Sequence, residues 1–360
     1  MARRRKSEDD RLRWIRRREA MARGKEGASK RRFPIGIGDD AALWTPSPGM
    51  SAVLTVDAQV EGVHFRREWI SARDLGWRAV ASSASDLAAM GARPACILVS
   101  LTLEDGGSDL EEIQEGIFES ARAHGLRLIG GNLSAGPLTV AVTAIGEARP
   151  GDAVTRGGAR EGDEIWVTGE PGLARLGLLL LRSGESRRPA GAARALRAFR
   201  RPKARLAEAL EIASRWKPRA MIDLSDGIAL DLRRVLDESS RDRKEPLGAV
   251  LDEEALASPA VARLSRALGE DPAGSALRGG EDYELLFTAP PSGRGSRVAA
   301  FEKRFGIPIT RIGTVARGEE LLLRARSGTA RRVTEKGWDH WGPGSSSRGT
   351  GRHGRARRPG

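Results

Sequence analysis

The chain of 360 residues is 39% hydrophobic and 30% charged, a balance that supports a large folded core and excludes wholesale disorder. Its formal net charge of +13 would suit a nucleic-acid-binding protein, but the excess lies at the two ends of the chain. Residues 1–32 hold 14 Lys and Arg against 5 Asp and Glu, residues 343–360 hold 5 Arg and no acid, and the remainder is close to neutral. We therefore expect nucleic acid to be at most a weak partner of the basic ends.

The chain carries one cysteine, Cys96, which excludes an intrachain disulfide and suits a reducing compartment. This cysteine lies in an apolar run, where a buried thiol is expected. No apolar segment typical of a secretory signal follows the basic N-terminus. The most hydrophobic stretch, residues 173–181, is interrupted by Arg175 and is too short to cross a bilayer. We expect a cytoplasmic protein with no membrane partner.

In chain order, the predicted elements begin with a basic N-terminal arm, residues 1–32, which includes one helix over Asp9–Ala22. For the next segment, residues 33–160, the hydrophobic pattern predicts strands at Ala52–Val56, Cys96–Leu103 and Leu138–Ile145, and helices over residues 71–90 and 109–124. The first of these strands would deliver Asp57 at its end. His124 would cap the C-terminus of the second helix and has no expected catalytic role.

A polar turn near residue 160 marks the expected boundary to a second segment, residues 161–342. Strands are predicted there at Glu164–Thr168, Ala220–Leu224, Glu284–Thr288 and Arg311–Val315, and helices at Gly172–Leu181, Lys203–Arg215, Ile228–Glu238 and Pro259–Leu268. Strands and helices alternate without the regular βαβ order of a doubly wound sheet, which favours two α/β or α+β domains. The tail, residues 343–360, is expected to be a disordered basic extension.

Six aspartates lie at predicted strand ends or in turns bounded by glycine: Asp39, Asp40, Asp57, Asp86, Asp223 and Asp226. One such aspartate alone is more often a helix cap or a turn residue. Six that converged would repel one another unless cations neutralised them, and hard oxygen ligands select Mg²⁺ or Ca²⁺. Because Mg²⁺ is commonly shared with substrate phosphates, we interpret the set as a metal and phosphate site.

Several phrases make the pattern more specific. They are GIGDDAA at residues 36–42, DAQVEGVHF at 57–65, SDLAAMGARP at 85–94, IGGN at 129–132, IDLSDG at 222–227, GGEDYEL at 279–285 and GWDH at 337–340. In this order, the series resembles the thiamine-monophosphate kinase family, within the superfamily that includes aminoimidazole ribonucleotide synthetase and selenophosphate synthetase. The resemblance implies the two-domain fold of aminoimidazole ribonucleotide synthetase, with the N-terminal domain's sheet pairing in a homodimer and a C-terminal α/β domain.

The resemblance also implies an activity: ATP-dependent phosphorylation of thiamine monophosphate to thiamine diphosphate, by direct in-line transfer assisted by several Mg²⁺ ions. The implied metal ligands are Asp40, Thr55, Asp57, Asp86, Asn132, Asp223 and Asp226. The implied ATP contacts are Gly130, Gly131 and Asn132, which correspond to a Gly-Gly-acid turn of the family, together with Arg156 and Ser225. Thiamine phosphate would be held by His64, Glu281 and Trp338, although each of these three could instead have a structural role.

Two positions depart from the family's pattern. Asn132 stands where the family usually has Asp, which keeps one oxygen ligand but removes a negative charge. Val56 stands where a Thr is frequent, which removes a hydroxyl ligand. Two alternatives stay open: a sister ATP-dependent synthetase of the aminoimidazole ribonucleotide or selenophosphate type, and a nucleic-acid-binding protein that uses the basic ends. Selenophosphate synthesis is disfavoured because no cysteine precedes the Gly-rich turn at residue 36.

Overall fold

A computed structural model describes residues 8–22, 31–104, 109–184, 188–291, 295–335 and 337. The first half of the chain contains helices α1 (Glu8–Ala22), α2 (Ala72–Ala89) and α3 (Leu110–Ala123), and strands β1 (Ser51–Val60), β2 (Arg93–Leu103), β3 (Arg127–Ala135) and β4 (Thr139–Ala148). The predicted boundary at residue 160 falls in the loop that leads from this half to the next strand.

The second half alternates strands and helices less regularly. Its strands are β5 (Glu164–Thr168), β6 (Ala220–Asp223), β7 (Leu247–Asp252), β8 (Leu285–Ala289), β9 (Ile309–Arg317), β10 (Leu321–Arg324) and β11 (Ala330–Arg332). Its helices are α4 (Leu173–Ser183), α5 (Ala192–Arg200), α6 (Leu206–Glu211), α7 (Ile228–Ser240), α8 (Pro259–Ala267), α9 (Pro272–Leu277) and α10 (Gly295–Phe305).

Each half contains one mixed sheet. The first is four-stranded in the order β1-β4-β2-β3, and its one parallel pair is β2 with β3. The second is seven-stranded in the order β11-β10-β7-β9-β5-β8-β6, with antiparallel pairs except between β10 and β7. Two mixed sheets with helices between their strands agree with the predicted fold class. The prediction that strands and helices do not follow a regular βαβ order is also confirmed.

Helix α2 joins the two halves. It packs against β1 and β4 of the first sheet and also against β6 and α6 of the second half. Thirteen of its 18 residues are buried, so the helix is enclosed on nearly every side. Its sequence is rich in Ala and Ser, whose small side chains let neighbouring backbones come close on several faces. One hydrophobic core accordingly continues from the first sheet into the second half.

The helix predicted in the basic N-terminal arm forms, and it is attached to the first half. Ile15 is buried in the shared core. Arg18 forms an ion pair with Glu115 of α3, and Arg127 at the start of β3 pairs with Glu19. The described helix of the arm is therefore packed on the first half through apolar contacts of Ile15 and Trp14 and through the ion pairs of Arg18 and Glu19.

His124 ends α3 as a C-terminal cap, as predicted. Its Nδ1–H donates to the Ser120 carbonyl (2.8 Å), and its Nε2 accepts from the Ala204 N–H (3.1 Å). Burial lowers the pKa of His124 to about 4, so the ring is neutral and links the first half to the loop before α6. Cys96 is buried as expected, and burial raises the pKa of its thiol to about 12.

Two local predictions were wrong. β1 continues to Val60, so Asp57 lies inside the strand opposite Val142 rather than at its end. The IGGN phrase lies within β3, where Val99 of β2 pairs with Gly131, and is not a turn. In both cases pairing with a neighbouring strand extends the ladder through polar or glycine residues that have low intrinsic strand preference. None of the described helices combines the length and the apolar composition that crossing a bilayer requires.

Helices α2 and α3 cross at a pair of glycines, and this contact generates a stability prediction. A methyl group on Gly116 would lie 1.9 Å from the Arg73 carbonyl oxygen, and one on Gly76 would lie 2.0 Å from that of Ile113. Because both obstacles are backbone atoms, Gly116→Ala must push the helices apart and should cost about 2 to 4 kcal/mol of unfolding free energy. Gly295, at the start of α10, has open space around it, and Gly295→Ala is the control. Chemical denaturation of both variants tests this, and equal stabilities would contradict the close contact.

Candidate active site

Three of the predicted metal ligands of the first half meet on the faces of β1 and α2 that pack together. Thr55 and Asp57 point to the same side of β1, because side chains alternate along a strand. Asp86 lies one turn before the end of α2, and its Oδ2 accepts from the Thr55 hydroxyl (2.5 Å). The packing of helix on strand therefore brings one hydroxyl and two carboxylates to one place.

The second half contributes the end of β6 and the DLSDG loop after it. Asp223 is the last residue of β6 and is only 4% exposed. Asp226 follows in the loop, where its carboxylate accepts from Arg234 Nη1 (2.6 Å). Asp231, in the first turn of α7, accepts from the backbone N–H groups of Asp226 and Gly227 (both 3.0 Å). This helix-terminal aspartate fixes the loop's path beside the end of β6.

The GGEDY turn, residues 279–283, lies directly against the DLSDG loop. The Glu281 N–H donates to the Ser225 carbonyl (2.8 Å), and the Tyr283 N–H donates to the Leu224 carbonyl (2.9 Å). Within the turn, the Tyr283 hydroxyl donates to Glu281 Oε2 (2.6 Å), and the same oxygen accepts from Arg78 of α2. The two motifs of the second half are thus one hydrogen-bonded unit.

These carboxylates lie close enough to influence one another's pKa. Burial, together with the charges of Asp86, Glu281 and Asp226, raises the pKa of Asp57 to about 7. Burial and the charge of Asp86 are the main causes that hold the pKa of Asp223 well above its ordinary value. The pKa of Asp86 is also raised by burial, although its bond from Thr55 and the charge of Arg156 oppose this. Carboxylates from both halves therefore share one electrostatic environment. We call this region, which contains Asp57, Asp86, Asp223 and Asp226, the junction of the two halves.

The donor set fits a hard divalent cation. It consists of carboxylate oxygens and one hydroxyl, which are ligands that Mg²⁺ prefers, and the repulsion among them would be relieved by positive charge. Within the described ranges, no three His, Cys, Asp or Glu side chains are close enough to enclose one ion as they stand. The carboxylates would have to draw together, or share the ion with substrate oxygens and water, to complete its coordination.

Two of the predicted ATP contacts lie at the junction of the halves. Arg156 is exposed, and its charge is close enough to Asp86 to oppose the rise in the pKa of that carboxyl. Its loop crosses between the halves: the Val154 N–H donates to the Met90 carbonyl (3.1 Å), and the Thr155 carbonyl accepts from the Met221 N–H of β6 (3.0 Å). Ser225 is half-buried in the DLSDG loop. The structure thus places both residues beside the carboxylates.

Other predicted residues lie elsewhere in the first half. Gly131 sits in β3, where a methyl group would lie 1.9 Å from the Val99 carbonyl oxygen, so the close strand contact requires glycine. The next residue, Asn132, is exposed and donates to Ser134 Oγ (2.8 Å). Asp40 is exposed in the turn after Gly36. Among the described residues, no hydrogen bond or ion pair joins Asp40 or Asn132 to the carboxylates of the junction.

The predicted substrate contacts are only partly placed. His64 is half-buried, and its Nδ1 accepts from the Val60 N–H (3.1 Å), which puts the proton of the neutral ring on Nε2. Glu281 lies at the junction, next to the carboxylates. Trp338 falls outside the described residues, so its predicted contact with thiamine phosphate stays a prediction.

Sequence reasoning missed several residues that build the site. Asp231 could have been suspected, because aspartate is favoured in the first turn of a helix. Asp282 accepts from the N–H groups of Gly172 (2.6 Å) and Ala174 (2.9 Å) and so caps α4 from across the fold. The buried arginine of α2, Arg78, had no sequence signal, because an arginine within a helix is usually on its surface. Contacts of this kind depend on tertiary packing and have no local pattern.

The raised pKa of Asp57 predicts a pH-dependent stability in metal-free protein. The folded state holds this proton up to about pH 7, whereas an unfolded aspartate loses it near pH 4. Stability contributed by the protonated form is therefore lost as pH rises through this window. Asp57→Asn should match wild type near pH 4 and exceed it by on the order of 2 kcal/mol at pH 8. Denaturation in the presence of a chelator measures this, and a difference that does not change with pH would contradict it.

A family model and proteins of known sequence are similar to this chain. Residues 38–148 match the family model described as AIR synthase related protein, N-terminal domain. The chain is 36% identical over 310 residues to the thiamine-monophosphate kinase of Escherichia coli strain K12, covering 85% of this chain and 92% of that protein.

Two solved structures are similar over most of their length. A thiamine-monophosphate kinase from Stenotrophomonas maltophilia K279a is 34% identical, with a TM-score of 0.73 over 89% of this chain and 96% of that one. A structure described as AaThiL complexed with AMPPCP and TMP is 29% identical, with a TM-score of 0.69 over 82% of this chain and 89% of that one.

Proposed function

The chain belongs to the thiamine-monophosphate kinase family, and we propose that it transfers the γ-phosphoryl group of ATP to thiamine monophosphate at the junction of its two halves. The observation that carries this proposal is the convergence of Asp57, Asp86 and Asp223 from β1, α2 and β6. Buried and half-buried carboxylates that repel one another, beside an exposed arginine, suit a site for cations and phosphates.

Mg²⁺ would be held by the carboxylates of the junction together with the Thr55 hydroxyl. When bound, these ions would neutralise the phosphate charges and align donor and acceptor oxygens for in-line displacement. Asp40 and Asn132 would be ligands of an ion bound at the edge of the first sheet. These assignments follow the family resemblance, and the chemistry of the oxygen donors supports them.

Phosphoryl transfer through a loose transition state needs positioning and charge neutralisation more than it needs a base. Arg156 is suited to contact phosphate oxygens of ATP, because its guanidinium is planar and permanently charged. Gly130 and Gly131 would let a phosphate approach the β3 backbone, and Ser225 would contact the nucleotide from the DLSDG loop. We expect direct transfer without a phosphorylated enzyme intermediate.

His64, Glu281 and Trp338 are proposed to hold thiamine monophosphate. The charge of Glu281 contributes to the raised pKa of Asp57, so a substrate held by Glu281 would lie near the proposed metal ligands. An aromatic face at Trp338 would suit the cationic thiazolium ring. His64 would donate a hydrogen bond from Nε2.

A homodimer that pairs the four-stranded sheets is proposed from the family resemblance. Leu54 and Val56 support it, because both are 64% exposed on the outer face of the edge strand β1. Exposed apolar side chains on a sheet face are typical of protein interfaces. A cytoplasmic location is also proposed, since ATP and a reducing environment for Cys96 are both found there.

The direct test is a ³¹P NMR assay with ATP, Mg²⁺ and thiamine monophosphate. We expect the diphosphate product in wild type and a loss of turnover of about 100-fold or more in Asp223→Ala, because a buried metal ligand is removed. If ATP were consumed only with the acceptors of the sister synthetases, or with neither, the proposed function would be wrong.

Asp163 provides the matched control for that variant. It is another buried aspartate of the second half, paired with Arg219 (2.6 Å) away from the junction. Asp163→Ala should lower stability but retain turnover in the folded fraction. Equal loss of turnover in both variants would show that removing any buried carboxylate is enough, and would contradict a metal role for Asp223.

Asn132→Asp tests the departure from the family's pattern. An added carboxylate strengthens attraction for Mg²⁺, so the variant should reach half-maximal rate at a lower Mg²⁺ concentration, with little change in the saturated rate. Titration of Mg²⁺ at fixed ATP measures this, with Ser327→Asp, in the exposed turn between β10 and β11, as the charge-matched control. An unchanged or raised half-saturation concentration in Asn132→Asp would exclude a ligand role at this position.

A further inference from the structure

Arg78 is a fully buried arginine near the start of α2, with 0% of its surface exposed. Its Nε donates to Gln59 Oε1 on β1 (2.9 Å). Its Nη1 donates to the Phe199 carbonyl in α5, and its Nη2 donates to Glu281 Oε2. The guanidinium also lies 4.5 Å from the centre of the Phe199 ring. One side chain therefore joins both halves of the protein.

Burying a positive charge is costly unless the charge is paired and its donors are satisfied. Arg78 meets this condition only because Gln59, Phe199 and Glu281 come from three separate segments and surround one planar group. A lysine ammonium is a compact charge without this fork of fixed donors, so it cannot reach all three partners in the same geometry. The arrangement depends on arginine specifically.

The turn that Arg78 holds has an unfavourable backbone. Glu281 and Tyr283 have φ values of 69° and 52°, a left-handed conformation that costs free energy for residues other than glycine. Such backbones persist where surrounding contacts determine them. Here the contacts are the bond from Arg78 to Glu281, the bond from the Tyr283 hydroxyl to the same oxygen, and the two backbone bonds to the DLSDG loop.

We propose that Arg78 is a positioning residue for the acceptor substrate: it fixes the Glu281 carboxylate and holds the 279–283 turn against the DLSDG loop. This inference rests on the proposed function, and nothing in the family resemblance assigns a role to Arg78. Arg78 itself is enclosed and acts through Glu281, which remains partly exposed at the junction. Its loss should weaken capture of thiamine monophosphate more than it slows transfer.

The first experiment compares Arg78→Met and Arg78→Lys with Arg205→Met. Arg205 is the matched control, because it is also a mostly buried arginine and pairs with Glu284 in the same GGEDYEL phrase (2.7 Å). Assays are made below the melting temperature of each variant. We expect Arg78→Met to raise KM for thiamine monophosphate about tenfold or more. Arg78→Lys should raise this KM by less than Arg78→Met does. Arg205→Met should leave it within about twofold of the wild-type value.

The second experiment is a double-mutant cycle with Glu281→Gln. If Arg78 acts through Glu281, the double variant should have a KM close to that of the worse single variant, because both changes remove one interaction. Fully additive effects on KM would overturn the proposal. So would an unchanged KM in folded Arg78→Met, or equal increases in Arg78→Met and Arg205→Met.

Amide hydrogen exchange tests the holding step without any substrate. The N–H groups of Glu281 and Tyr283 should exchange faster in Arg78→Met than in Arg205→Met, at equal global stability. If wild type failed to phosphorylate thiamine monophosphate, the proposed function would be wrong. The exchange rates would still show whether Arg78 holds the turn. Unchanged protection of both amides in Arg78→Met would overturn the inference independently of the assay.

Discussion

Mutual repulsion among buried and half-buried carboxylates is the constraint on which the site depends. Asp57, Asp86 and Asp223 come from a strand of the first sheet, the connecting helix and a strand of the second sheet, and each has a raised pKa. Three such groups without cations lower the stability of the fold at neutral pH. Because the fold nevertheless keeps these carboxylates together, we expect bound cations such as metal ions to offset their repulsion.

Helix α2 places the two charged groups on which the site depends. Arg78 and Asp86 are eight residues apart, which corresponds to about 12 Å along a helix. In our proposal, Arg78 orders the turn that faces the acceptor substrate, and Asp86, which accepts a hydrogen bond from Thr55 of β1, is one of the metal ligands. Because the helix is enclosed by both halves, its small side chains and the Gly76 contact with α3 fix where these two charges lie. Packing and function are therefore set by the same helix.

The elements with strong periodicity were predictable from sequence, as β5, α7 and the central part of α2 illustrate. The carboxylates of the junction were found by their motifs. Local pattern failed where tertiary pairing decides the outcome: Asp57 is carried inside β1 by its ladder with β4, and the IGGN phrase is drawn into β3 by β2. The Arg78 network was invisible, because its three partners are 19, 121 and 203 residues away in the chain.

The same electrostatics bear on how two anionic substrates can share one site. The carboxylates of the junction repel the phosphates of ATP and of thiamine monophosphate alike, and Arg234 is already paired with Asp226 and Asp231. Arg156 is exposed beside Asp86, which leaves its charge available to a nucleotide phosphate at the mouth of the site. We therefore expect the binding of either substrate to depend on the cations that accompany it. Bound metal ions would change the net charge of the junction from negative to positive. They would thereby raise the affinity for both substrates before they assist the transfer step.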